Sequence, residues 1–482
     1  VLEELRAAIL DFKQESGKFV LAYNEAYGQG GYYLATAADG VYLQPEGLLD
    51  WHGMAVNTLF FKGLLDKLDL KVEVFRPTAC KYKSAVEPYI LTKLSDANRE
   101  QLTSFLGSVW GNLTTAIEKS RNISSDELDR YLNEGLAMGQ AFNAVDYKLA
   151  DGLRYRYEVE NCVKEMAGQD VKGKLKTAGV DKVASIKVKE KDSGNKIAVL
   201  YAEGEIRDDD SSSPFSADEQ VISEEMANKL RKLKDDDDVK AVVFRVNSPG
   251  GSAYISEQIW KEVVELKAKK PIVVSMGNYA ASGGYYISCA ANKIVAERTT
   301  LTGSIGVFGV VRNFTGTFDK VGVTTDIVKT NTFADLGDIS RPMREDEKAL
   351  IQRGVEQTYD LFLTRCADGR GMTKAEIDSI GQGRVWTGEQ ALERGLVDQL
   401  GGMDDAIKEA ATLAELTDYS VIVADGPKDF FTKFMEKQMD EAKVSIAKSV
   451  MGEEQFKLFS TIRRAETESG IIARMPFDIK GL

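Results

Sequence analysis

Residues 270–286 read KPIVVSMGNYAASGGYY, and residues 17–33 read GKFVLAYNEAYGQGGYY. Gly283-Gly284-Tyr285-Tyr286 answers Gly30-Gly31-Tyr32-Tyr33, and each quartet follows an apolar, β-branched run. At the same offset Ile294-Val295-Ala296 answers Val41-Tyr42-Leu43, and Gly306-Val307-Phe308-Gly309 answers Gly53-Met54-Ala55-Val56. Farther on, Val385-Trp386 through Val397-Asp398 resembles Ala141-Phe142 through Ala150-Asp151, with three extra residues in the second copy. A self-similarity of this kind marks a duplicated structural unit and has to be recognised before any local motif is placed.

Each copy alternates short β-branched runs with helical spacing, the pattern of strands joined by crossover helices, which predicts an α/β fold. In the second copy Ala241 to Val246 reads as a buried strand, residues 253–268 as a helix burying Ile255, Ile259, Val263 and Leu266, and Ile272 to Ser275 as the next strand. The expected organisation is an N-terminal repeat at 1–165, truncated at its start, a lysine-rich linker at 166–195, a C-terminal repeat at 196–415 and an unpaired extension at 416–482. In the extension Phe431, Phe434, Met435, Met439, Ala442 and Ile446 form an apolar stripe that predicts an amphipathic helix packing on the body, on another subunit or on a membrane surface. An opening pattern of Leu5, Ala8, Ile9 and Phe12 leads into a strand-like Phe19 to Ala22, and a signal, an anchor or the start of the first domain could precede Val1.

Composition narrows the function classes. With 482 residues, 43% of them hydrophobic, the chain can build two or three cores. Its 62 basic and 75 acidic residues give a net charge of −13, which disfavours nucleic acid as a partner. Cys80, Cys162, Cys289 and Cys366 are scattered, without the spacing of a zinc site, and read as buried thiols without a structural bridge. The acidic stretches at 208–214 and 235–238 read as solvated loops.

Two glycine-rich turns carry the chemistry. Asn247-Ser248-Pro249-Gly250-Gly251-Ser252 follows a buried strand and precedes a helix, so its amides can face a developing negative charge. Ala281-Ser282-Gly283-Gly284 makes a second such junction, where the Gly283 amide would lie beside the Ser282 hydroxyl. A serine needs a base, usually histidine. The single histidine, His52, is paired by the repeat with apolar Ile305. A lysine serves instead if burial keeps it neutral near pH 7.

Taken together, Arg245-Val246-Asn247-Ser248-Pro249-Gly250-Gly251-Ser252, Ala280-Ala281-Ser282-Gly283-Gly284-Tyr285, Leu301-Thr302-Gly303-Ser304-Ile305-Gly306 and Tyr82-Lys83-Ser84-Ala85-Val86-Glu87-Pro88 resemble the signal peptide peptidase A (protease IV) family in its long, duplicated form, over about residues 1–415. That resemblance implies two tandem domains of the Clp-protease/crotonase fold and a serine endopeptidase that degrades cleaved signal peptides and other hydrophobic peptides, without metal or cofactor. It further implies membrane association through a segment outside this chain, at a bacterial inner membrane with the catalytic part on the extracytoplasmic side, and a homo-tetramer. Position by position, it implies Ser282 as nucleophile, Lys83 as general base, the amides of Gly251 and Gly283 as oxyanion donors, and Ser304 as the residue that positions the lysine. The first copy carries Gln29 at the serine position, and the second carries Asp335-Leu336-Gly337 where Tyr82-Lys83-Ser84 would align. Each copy lacks what the other keeps, which predicts one composite site. Two rivals stand beside this reading: a crotonase-like acyl-CoA enzyme, which would use carboxylates at the same amides, and an inactive peptide-binding scaffold.

Overall fold

A computed structural model describes residues 1–135, 139–184, 186, 193–207, 220–424 and 471–474. The chain forms two compact units: the described residues of 1–56 with 106–191, and those of 57–105 with 192–478.

The second unit is built on a mostly parallel sheet of eight strands. Its main path runs Val385–Thr387, Leu301–Gly303, Ile272–Ala281, Val239–Ser248, Lys196–Glu203, Ser420–Val423, and Lys293–Ala296 also pairs with Ile272–Ala281. The pairings are parallel except between Leu301–Gly303 and Val385–Thr387. Both faces are covered, which is why Ala241 to Phe244 and Ile272 to Val274 read as continuous apolar runs rather than alternating ones. The predicted helix is Ala253–Lys267, started by the Ser252 side chain accepting from the Ile255 amide. It buries Ile255, Ile259, Val263 and Leu266 completely, each contributing about 1.5–3 kcal/mol of transfer free energy.

A second, smaller sheet lies in the same unit. Its order is Lys71–Phe75, Phe308–Asn313, Ile471–Arg474, Gly250–Ser252, Glu205–Ile206, Val221–Ile222. Here the compact units part from the bounds of the repeat. Residues 57–105 pack with the C-terminal half, because Lys71–Phe75 pairs antiparallel with Phe308–Asn313 and Val86 is buried against Phe308.

The first unit holds a parallel sheet of Leu21–Tyr27, Gly40–Leu49 and Gly152–Leu153 around a core that includes Tyr32, Trp51, Ile117 and Leu128. Its opening helix, Leu2–Ser16, ends on Gly17 at φ 62°, so the first strand starts at Leu21, two residues later than the apolar run Phe19 to Ala22 predicts. The duplication reappears as matched hydrogen bonds. Tyr32 Oη donates to the Leu149 carbonyl as Tyr285 Oη does to Leu396. The Val41 amide donates to Asp151 as the Ile294 amide does to Asp398, and Arg121 and Arg370 hold the two carboxylates.

One detail departs from the gapless alignment. The carbonyls of Val20 and Ile272 accept from Asp39 and Asn292 at equivalent points of the two sheets. Val20 precedes its tyrosine, Tyr32, by twelve residues, whereas Ile272 precedes Tyr285 by thirteen. The first copy is one residue short between Tyr23 and Gly30, in the passage from strand to helix, where the second copy's strand carries a bulge between Met276 and Ala280.

The acidic stretch 208–214 and the apolar stripe at 431–446 lie outside the described residues. Asp235 ends the helix Glu225–Asp235, and Asp236 to Asp238 are exposed beyond it. All four cysteines are free, with Cys80, Cys289 and Cys366 buried. Among the described residues no helix is long and apolar enough to cross a membrane, and no group of His, Cys, Asp and Glu is arranged to hold a metal ion.

Candidate active site

Ser282 stands where the strand Ile272–Ala281 breaks into the short helix Gly283–Tyr286. Its backbone adopts φ 57° and ψ −115°, a conformation costly for a residue with a side chain and found mainly where surroundings over-determine it. The Ser282 amide is held by the Gly303 carbonyl at 2.8 Å, and the residue is fully buried.

Lys83 comes from the segment after Lys71–Phe75 and precedes the single helical turn Ser84–Val86. Its side chain is also fully buried. The amine Nζ lies 2.7 Å from Ser282 Oγ, 3.0 Å from Ser304 Oγ and 3.1 Å from the Ser304 carbonyl oxygen. Among the described residues no carboxylate pairs with it, and burial dominates and pushes the amine down from 10.5 to about 7, with the Cys80 thiol opposing. An amine poised there is half neutral near pH 7. In that form it accepts the Ser282 hydroxyl proton while donating to the two Ser304 oxygens.

The two glycines expected to offer backbone amides sit in different elements. Gly283 opens a helix, so its N–H has no intrahelical acceptor. Gly251 lies in Gly250–Ser252 beside Ile206, with φ +152°, and a Cβ there would stand 2.0 Å from the Ile206 carbonyl oxygen. Only glycine permits that approach. Ser304 is a second positive-φ residue, at 50°. All five residues singled out from the sequence, Lys83, Gly251, Ser282, Gly283 and Ser304, therefore belong to one compact unit.

The remaining candidates behave differently. His52 is exposed, and its Nδ1 lies 2.7 Å from Asp50 Oδ1. Gln29 is the first residue of the helix Gln29–Ala35. Its Oε1 accepts from the His52 and Gly53 amides and its Nε2 donates to the Gly53 carbonyl. Asp335 is committed to ion pairs with Lys329, Arg341 and Arg344, which hold its carboxyl well below the usual range.

Several residues that pack around Lys83 belong to no motif noted in the sequence. The turn Gly381-Gln382-Gly383-Arg384 runs against the lysine backbone, and Gln101, fully buried, donates to the Tyr82 carbonyl and to Ser84 Oγ. The only sequence sign of the turn is its pair of glycines just before the repeat-matched Val385.

Known proteins are similar to this chain over most of its length. The profile of Peptidase family S49 matches residues 12–170 and 264–417, and that of Clp protease matches residues 215–305. Protease 4 of Salmonella typhi is 41% identical over 416 residues, which are 85% of this chain and 66% of that protein. Protease 4 of Haemophilus influenzae is 37% identical over 422 residues, 86% of this chain and 67% of its own length. The chloroplastic serine protease SPPA of Arabidopsis thaliana is 32% identical over 421 residues, 86% of this chain and 61% of its own. The chain thus spans about two thirds of the length of these relatives. With the S49 profile matching a stretch in each copy, together more than half of the residues, the chain belongs to peptidase family S49.

Proposed function

We propose that this chain is a serine endopeptidase in which Ser282 is the nucleophile and Lys83 the general base. The observation that carries the reading is the 2.7 Å approach of a fully buried lysine amine to a serine hydroxyl. Neutral Lys83 takes the Ser282 proton as Oγ adds to the peptide carbonyl, and the oxyanion is received by the amides of Gly251 and Gly283. The ammonium, steadied by Ser304, passes that proton to the leaving amine as the C–N bond breaks. Water then attacks the acyl-enzyme, losing its proton to the same amine, and Ser282 is regenerated.

Substrates bind as an extended strand beside Gly250–Ser252, where side chains alternate and the backbone supplies the hydrogen bonds. In support, the chain's own strand Ile471–Arg474 pairs antiparallel with Gly250–Ser252 and with Phe308–Asn313. Apolar peptides, above all the remnants of cleaved signal peptides, are the substrate class, as the name of a putative signal peptide peptidase SppA from Enterococcus faecium suggests, 38% identical over 245 residues. The working form is a homo-tetramer held at a bacterial inner membrane, facing outward.

The test is covalent. A fluorophosphonate should label the protein once, on a tryptic peptide containing Ser282, and in parallel block cleavage of an apolar peptide. Labelling confined to another serine, or cleavage that survives full labelling, would end the proposal. Light scattering of the purified chain reads the tetramer separately.

A further inference from the structure

Lys83 and Ser304 are far apart in sequence, yet both are stitched to the same four residues. The Tyr82 amide donates to the Gln382 carbonyl at 3.1 Å, and the Ser304 amide to the Arg384 carbonyl at 2.7 Å. In return the Gly383 amide donates to the Ile305 carbonyl at 2.7 Å. Between these bonds Gly383 presses on the lysine itself: a Cβ on Gly383 would lie 2.6 Å from Lys83 Cβ and 2.7 Å from its Cα and N. These atoms are backbone and Cβ, not the end of a flexible side chain, so they cannot swing away. Gly383 also sits at φ +78°, and its neighbour Gln382 at φ 55°.

Strain is concentrated here. Of the seven non-glycine residues with positive φ among the described residues, three are Ser282, Ser304 and Gln382. Such conformations persist where packing over-determines them, and they cluster where geometry serves chemistry. Gln101 braces the turn from the other side. Its Nε2 donates to the Tyr82 carbonyl at 3.0 Å while its Oε1 accepts from the amide of Val385 at 3.3 Å, tying the lysine segment to the strand that follows the turn.

We infer that the turn Gly381–Arg384 is the template that sets the Lys83 amine between Ser282 and Ser304, with Gly383 as a positioning residue for the general base and Gln101 as its brace. The inference rests on the Ser282/Lys83 reading above. A side chain at position 383 pushes the lysine backbone outward, and a displaced amine gains water and loses its contact with Ser282. Its chemistry then changes in a defined direction, because burial is what holds it near 7. The other titratable groups around the amine and the turn include Cys80, Tyr359 with Asp378, Arg76, and Tyr82 with the Arg384–Glu100 pair. Burial pushes the Cys80 thiol up to about 12 and the Tyr359 phenol well above its ordinary value, so neither titrates near neutrality.

The experiment compares Gly383→Ala with Gly371→Ala in the full chain. Gly371 ends a helix at φ +63° with open space around its Cα, so its substitution imposes similar backbone strain away from the site. Fluorophosphonate labelling and peptide cleavage are followed from pH 5 to 10. Gly383→Ala should lower kcat at least tenfold with KM within threefold, and raise the midpoint of the pH profile by a unit or more. Gly371→Ala should lose stability while keeping the wild-type midpoint. A folded Gly383→Ala with an unmoved midpoint overturns the inference whatever its rate. If Gly383→Ala does not fold, Gln101→Met, which keeps the length and removes the hydrogen bonds, is read by the same criterion. Lys83→Ala separates the two levels: if it labels like wild type, the Ser/Lys reading itself fails, whereas loss of labelling there with an unmoved Gly383→Ala midpoint removes only the template.

Discussion

At Ser282 the chain leaves its strand with φ 57° and ψ −115° and enters a four-residue helix; at Gln29 it passes from Gly28, at φ −76° and ψ 165°, straight into the helix Gln29–Ala35. The same Gly-Gly-Tyr-Tyr follows in both, and in both the first tyrosine is tied to an equivalent carbonyl. The second copy spends one more residue between Ser275 and Gly283, a span that holds the bulge between Met276 and Ala280, and at its end Ser282 takes a positive φ with its hydroxyl beside the Lys83 amine. The first copy lacks the extra residue, and its glutamine side chain turns to satisfy the amides of His52 and Gly53. Two copies of one fold thus differ less in architecture than in whether a strained elbow is present, and the strained copy carries the buried serine.

The comparison is broken most directly at the nucleophile. Ser282→Ala should reduce peptide cleavage by about 10⁴-fold or more and abolish fluorophosphonate labelling, while Gln29→Ala leaves both within twofold. Labelling that survives Ser282→Ala would show that the elbow is not where the chemistry lies.

Next in size is the base. Lys83→Ala should cost about 10³- to 10⁴-fold in kcat, and Lys83→Arg should not recover it, because a guanidinium does not give up its proton. An active Lys83→Arg enzyme would argue against proton transfer by this side chain.

The pH profile sharpens the same point. With the amine held near 7, activity should rise through about pH 7 and level off on the alkaline side. Stability carries a matching signature. The native amine titrates near 7 and the unfolded one near 10.5, so between those values the unfolded chain holds the extra proton and stability rises with pH, by up to about 1.4 kcal/mol per unit. Lys83→Met should therefore be more stable than wild type at neutral pH and should lose that slope in chemical denaturation, and an unchanged slope would contradict the buried amine.

Smaller effects follow from the supports. Ser304→Ala removes one acceptor from the charged amine and should slow kcat by about tenfold to a hundredfold, the value of a hydrogen bond to a charged group. Gln29→Ser in the first copy should yield no second labelled serine, since the passage from strand to helix is a residue short, and should cost about 1–2 kcal/mol in denaturant midpoint from the lost hydrogen bonds. A newly labelled Ser at position 29 would mean that residue identity, not turn geometry, separates the copies.

Much of the second copy was legible because its signals are local. The apolar runs at 241–244 and 272–274, the periodicity of Ile255, Ile259, Val263 and Leu266, and Ser252 as a cap each depend on neighbours within a turn or a strand. The residue missing between Tyr23 and Gly30 was not legible, since Gly30-Gly31-Tyr32-Tyr33 aligns without a gap and only the pairing of Val20 with Asp39 exposes the shift. Nor was the template at Gly381–Arg384, whose bonds join residues from about 80 to 300 positions apart.

By itself the amino-acid sequence determined which groups were available: a serine in a glycine-rich turn, a motif lysine, paired glycines for amide donors, and a glutamine in place of the first serine. The tertiary structure alone decided that residues 57–105 pack with the C-terminal half, that Lys83 is buried without a carboxylate partner among the described residues, and that its amine meets Ser282 Oγ at 2.7 Å. The reason is physical: a lysine becomes a base through desolvation, and desolvation is a property of what surrounds a side chain in space rather than of what precedes it in the chain.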